Sequence, residues 1–259
     1  MGEKYILKCK DDLESIFSTI YYAFELKNKM RDSYDDSIQI KIDDYIEYDL
    51  FSQIIEVDTD YDKAEKTIQA IKRKLGFNIY DMVFKALCHF DDDRGSVVLG
   101  FLIRAFERGS IIVEDLSDKY VMRTMELYRK VNNEEQKMNG FLRFRDVGTF
   151  MLSEINPKCN LIPTIMWHFS DRFPGENFII WDKNRNYAVV HPRFSDCFYV
   201  TGEELSQAGM TDILPEDDFE KLWKIYFENM EIKDRHNEEC QRNLCPKWYR
   251  ENMIEFFVK

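Results

Sequence analysis

The texture of this chain changes near residue 139, from mainly helical to strands interleaved with helices, and that change divides what the sequence can fold into. Before it, apolar residues recur at three- and four-residue steps. Leu13, Ile16, Phe17, Ile20, Tyr21 and Phe24 form one stripe, and Ala64, Ile68, Ile71 and Leu75 a second. Met82, Val83, Ala86 and Leu87 lie within a third helical segment, Ile79 to Phe90. Tyr120, Val121, Thr124, Leu127, Tyr128 and Val131 form a further stripe. This is the spacing of amphipathic helices. Asp11 or Asp12 offers an N-cap to the first, Gly76 a stop after the second, and Ser117 a cap for the last. Residues 96–108 (SVVLGFLIRAFER) are apolar enough for a buried helix ended at Gly109. Asp91, Asp92, Asp93 and Arg94 make a turn before it, closed by Gly95. Short strands are expected at Lys4–Cys9, at Ile38–Ile42 and in IIEV (54–57), with an acidic loop at 32–44.

Just after Asn139 the period falls to two. In FLRFRDV (141–147), Leu142 and Phe144 alternate with Phe141, Arg143 and Arg145. Thr149–Ile155 pairs with this strand across Gly148. Asn160 is placed to cap a helix whose Ile162, Ile165, Met166, Phe169 and Phe173 face inward. NFIIWD (177–182) and YAVVH (187–191) read as a hairpin around Lys183–Asn186. Cys197–Val200 is a further strand. Pro215–Met230 is a helix with an acidic first turn, and a short helix follows Pro246. The expected fold is α+β. Residues 1–135 form a mainly helical region with short strands. Residues 136–259 form an antiparallel meander sheet with covering helices, and the two parts could make one compact unit. No apolar run reaches 18 residues, so no membrane span is expected. The opening MGEKYILKCKDD lacks the features of a signal peptide. The cytoplasm is the expected compartment, with the six cysteines reduced.

The formal net charge is −12. A net anion is repelled by phosphate at long range, which argues against non-specific coating of DNA but leaves room for one basic groove. There is no GxxxxGK[ST], GxGxxG or GxSxG segment. His89, His168, His191 and His236 are far apart, and His236 with Cys240 and Cys245 is the one metal constellation to check. No metal or cofactor is expected. Asp91–Asp93 lacks the ligand spacing of a calcium loop and reads as a solvated turn.

The densest cationic and aromatic interleaving lies between Glu134 and Phe173. Lys137 precedes a strand on which Arg143 and Arg145 share a face, about 6.6 Å apart at the usual rise. Trp167, His168 and Arg172 follow on one helix, beside Asp171. Arg242, Lys247 and Arg250 stand near Trp248 and Tyr249 in the tail. Such sets suit phosphate contact with base stacking. The competing reading is that these cations pair with abundant carboxylates, Arg172 with Asp171 or Glu176 for example.

QKMNGFLRFRDV, NLIPTIMWHFSDRFPGENFIIWDKNRNYAVV and the segment from DDFEKLWKIYF to CPKWYRENMIEF resemble a bacterial family of DNA-metabolism proteins of unknown function. Members carry comparable HKMxGFxRF, PHFxxRF, IYDxxR and MPKxYW segments. Here Gln136 stands where many relatives have His, and Cys245 and Trp248 depart from the usual residues around Pro246. The resemblance implies a partner, a radical-SAM DNA modification or repair protein or else a glycosylase-like protein. The module is also seen fused to uracil-DNA-glycosylase-like domains. Three readings follow. One is a repair accessory protein that binds DNA, or a DNA fragment, through the basic–aromatic set. A second is a nuclease or lyase using His168 and Asp171, with Asp146 or Asp182. The third is a protein-interaction scaffold. Whether the chain is catalytic stays open at this level.

Overall fold

The computed structural model describes residues 4–29, 37–42, 52–210, 218–230, 232, 237–251 and 253–256. Most of the acidic loop expected at 32–44, the first residues of the helix expected from Pro215, and His236 lie outside them. The chain divides into two compact units, residues 1–132 and 133–259.

The first unit runs β1 (Lys4–Cys9), α1 (Leu13–Lys29), β2 (Ile38–Ile42), β3 (Ser52–Glu56), α2 (Tyr61–Leu75), α3 (Phe77–Leu87), α4 (Arg94–Arg108) and the start of α5 (Lys119–Phe141). The strands make a parallel sheet in the order β2-β1-β3, with Tyr5 opposite both Ile38 and Gln53. Parallel neighbours need a crossover, and α1 supplies it between β1 and β2. The core joins Leu7 and Ile40 of the sheet to Ile16, Phe17 and Ile20 of α1, Ile71 of α2, and Phe101 and Leu102 of α4. Each of these is essentially inaccessible to water.

Local chemistry sets the helix ends. Asp12 accepts the Ser15 amide at 2.7 Å, and Asp60 caps α2 through the Lys63 amide at 3.0 Å. Gly76, at φ 93°, ends α2 in the left-handed region that glycine tolerates. Two expectations are corrected. The cap of α5 is Asp118, which accepts the Tyr120 and Val121 amides, because the Ser117 hydroxyl is engaged by Asp115. Gly95 does not close a turn but lies inside α4. A Cβ there would stand 2.8 Å from the Ile40 side chain, so the glycine permits close packing of α4 on β2. The preceding aspartates form a turn held by one guanidinium. Arg123 reaches Asp91 at 2.5 Å, Asp93 at 3.1 Å and Glu126 at 2.8 Å.

The second unit contains β4 (Arg145–Asp146), β5 (Met151–Ile155), α6 (Ile162–Arg172), β6 (Phe178–Asp182), β7 (Tyr187–His191), β8 (Phe198–Thr201), α7 (Gly202–Gln207), α8 (Asp218–Met230), α9 (Glu238–Leu244), α10 (Lys247–Arg250) and a 3₁₀ turn at Ile254–Phe256. The sheet order is β4-β5-β6-β7-β8. It is mixed rather than a pure meander. β5 and β6 are parallel because α6 carries the chain across between them, while the other pairs are antiparallel. With the parallel sheet of the first unit, the fold is mixed α and β.

The strand expected over 141–147 shrinks to β4. The Leu142 amide still bonds the Met138 carbonyl at 2.9 Å, so helical bonding passes Phe141. Phe144 packs edge-on against Phe169, Phe173 and Phe178, which accounts for its apolar character without a strand. Arg143 therefore lies in a connection and shares no strand face with Arg145. Arg145 does pair with Leu152 across the turn at Gly148. Asn160 is no cap either, since its side chain accepts the Tyr187 hydroxyl and Leu161 holds the N-cap position of α6. Among the described residues no helix is long and apolar enough to cross a membrane.

Candidate functional site

A cavity of about 1000 Å³ belongs to the second unit. Its floor comes from the β4–β5 turn, with Asp146, Thr149, Phe150 and Met151, and from Gly175, Glu176 and Asn177 between α6 and β6. Leu222, Trp223 and Tyr226 of α8 form one wall, and Arg143, Phe144 and Arg193 complete it.

Asn177 ties three segments together. Its side chain donates to the Thr149 carbonyl at 3.2 Å and accepts the Arg193 amide at 2.8 Å, and its own carbonyl accepts the Met151 amide. The rings of Trp223 and Tyr226 lie 5.7 Å apart at 32° and remain partly open to solvent.

The two arginines differ. Arg143 Nη2 is 2.9 Å from Glu255 Oε1, whose side chain is only 1% exposed. Nη1 of Arg143 donates to the Gly140 and Leu142 carbonyls, and the guanidinium stands 5.6 Å from the Trp223 ring. Arg193 is exposed and rests on its neighbour Phe194 at 5.0 Å, with no carboxylate partner among the described residues. It is the cation available to a ligand in this cavity. Sequence reasoning passed over Arg193, although Arg193–Phe194 beside Pro192 is the basic–aromatic pattern sought elsewhere.

The residues singled out in the sequence are only partly brought together. Arg143 and Arg145 share a smaller cleft with Glu154, Lys183 and Glu251. Trp167 and Asp171 line a separate cavity beside Phe194. His168 and Arg172 are exposed on α6 and line neither of the cavities that hold Arg193 and Asp171; His168 packs edge-on against Phe169 and Arg172 lies over Phe173. Lys137 lies over Tyr249, and Arg250 over Phe256 with its Nε donating to the Cys245 carbonyl. Arg242 donates back to the Glu238 carbonyl on α9, and Lys247 is exposed at the start of α10.

The acid–base set does not converge. Asp182 is fully buried and serves the β6–β7 turn, accepting the Asn184 and Arg185 amides and the Arg185 guanidinium. Burial pushes its carboxyl above the usual carboxylate range, with Arg185 pulling the other way. Asp146 lines the large cavity, accepting the Gly148 amide at 2.7 Å, and Asp171 the small one. Among the described residues no group of three His, Cys, Asp or Glu side chains is arranged to hold a metal ion. Cys245 Sγ lies 3.6 Å from Met253 Sδ, and Cys240 is exposed.

No curated protein matches this chain. A solved structure described as the DHH domain of a member of a family of ribosomal proteins is 12% identical over 73% of each chain, with a TM-score of 0.30. That superposition is too loose to transfer fold or function. A family model described as a domain of unknown function, DUF4130, matches residues 92–255, and the chain belongs to that family.

Proposed function

We propose that the second unit binds single-stranded nucleic acid or an unstacked repair intermediate. In this reading the protein is a DNA-metabolism accessory that works beside a radical-SAM enzyme. The observation that carries it is the large cavity, lined by Arg193, which has no acidic partner among the described residues, and by the partly open rings of Trp223 and Tyr226. Aromatic faces accept bases only after those bases leave a duplex stack, and each such contact is worth about 1–3 kcal/mol. Arg193 supplies the phosphate contact, and Arg143 holds the wall. The partner comes from the resemblance of the motifs between Gln136 and Phe256. The acid excess confines binding to this cavity.

The test is fluorescence anisotropy with labelled single- and double-stranded oligonucleotides at low salt. Single strands should bind more tightly. Arg193→Ala should weaken binding and reduce the slope of log K against log salt by about one. Trp223→Ala should weaken binding with the slope unchanged. Wild-type affinity in both variants would reject the site, and absence of binding at low salt would reject the function.

A further inference from the structure

The second unit holds another cavity of about 410 Å³, and its character is opposite to the first. We propose that it receives the guanidinium of an arginine presented by a partner protein. Trp167 and Phe194 line it and are 69% and 72% exposed. Asp171 and Asp196 line it too, and no lysine or arginine does among the described residues. Neither carboxylate has a cationic partner among the described residues. His191 is 3% exposed and also faces the cavity. Its Nδ1 lies 2.9 Å from the Glu176 carbonyl, which can only accept, so Nδ1 carries a proton there. Nε2 has no hydrogen-bond partner among the described residues.

The site therefore offers acceptors and the exposed Trp167 ring to one ligand, beside a Phe194 ring that carries the Arg193 guanidinium over one face. A guanidinium matches both. It is planar, brings five N–H donors in a fork, stacks on rings and sheds water more readily than an ammonium. A phosphate is repelled by both carboxylates. The display of Phe194 is also costly. Its φ of 55° is the left-handed region, which is unfavourable for a residue with a Cβ. The conformation is held by the Phe194 amide on the Pro174 carbonyl and the Arg193 amide on Asn177, both at 2.8 Å. This inference stands independently of nucleic-acid binding, since the two cavities share no lining residue.

The test is a titration of the full chain with acetyl-Gly-Arg-Gly-amide, its lysine and citrulline counterparts, and an oligodeoxycytidine. The readout is the ¹H–¹⁵N indole signal of Trp167, assigned with Trp167→Phe. The arginine peptide should shift it saturably, the lysine peptide about tenfold more weakly, and the uncharged citrulline peptide not at all. Asp171→Asn with Asp196→Asn, both at exposed positions, should remove the response while the remaining amide spectrum stays in place. Equal shifts with citrulline, a response that survives the double variant, or no saturable shift would overturn the proposal. An aspartate-dependent shift with the oligonucleotide would overturn it in favour of nucleic acid.

Discussion

Arg143 and Arg193 line one cavity, yet their removal should have opposite consequences. The Arg143 guanidinium faces a carboxylate that is 1% exposed, at 2.9 Å, and Glu255 Oε2 has no further partner among the described residues. Arg143→Ala would strand that charge away from water, at a cost of about 3–5 kcal/mol. Arg193 is exposed without a carboxylate partner among the described residues, so Arg193→Ala should change stability by less than about 0.5 kcal/mol. Urea unfolding read by tryptophan fluorescence measures both, because the Trp223 ring stands 5.6 Å from the Arg143 guanidinium. With a slope of about 2 kcal/mol per molar urea, a loss of about 4 kcal/mol moves the midpoint by roughly 2 M. Arg143→Met combined with Glu255→Met should regain most of the loss, since replacing both partners leaves no buried charge. Coincident midpoints for Arg143→Ala and Arg193→Ala would refute this account, because Glu255 would then be satisfied without its partner. A double variant no more stable than Arg143→Ala would refute it equally.

Two further outcomes are expected. Burial pushes the Asp118 carboxyl up, but the Tyr120 and Val121 amides and Arg104 outweigh it, so its pKa lies below the usual 3.8. A depressed folded-state pKa contributes stability that is present above the unfolded value and lost as pH falls through the folded one. Asp118→Ala should therefore cost about 1–2 kcal/mol near neutrality and flatten the acid limb of the stability profile, and parallel acid limbs in thermal melts would contradict it. Glycine substitutions give the other contrast. An added Cβ at Gly100 would meet the Tyr120 ring at 2.5 Å, whereas at Gly140 it meets nothing within 4 Å. Gly140→Ala should gain up to about 1 kcal/mol of helix propensity, while Gly100→Ala should lose about 1–2 kcal/mol net to overpacking. Melting temperatures moving in the same direction would count against the packing described for α4.

Much of the fold was legible where periodicity and capping agree. The stripes of α1 and α2 and the β6–β7 hairpin appear where their patterns place them. Errors fall where a side chain has a distant use. Leu142 and Phe144 alternate like strand residues because one is buried and the other packs three rings. Asn160 resembles a cap but is taken by Tyr187. Parallel pairing in both sheets depends on how crossovers fold back, which local pattern does not encode.

The site was less legible for a related reason. A cation's role depends on which carboxylates meet it, and those meetings span long sequence distances. Arg143 finds Glu255 112 residues away and becomes a tether. Arg123 finds Asp91 32 residues back, and Asp93 with it, and makes both part of a turn rather than a cation site. Counting Arg and Lys beside aromatics cannot separate tethers from free cations, since both follow the same local pattern. The turn after β7 shows what remains when such pairing is removed. Arg193 opens onto a cavity with aromatic walls, and Phe194, the next residue, lines one that holds two carboxylates. Adjacent residues thus line two cavities of opposite chemistry. A strained φ at Phe194 is what the backbone sustains to keep both side chains at this turn.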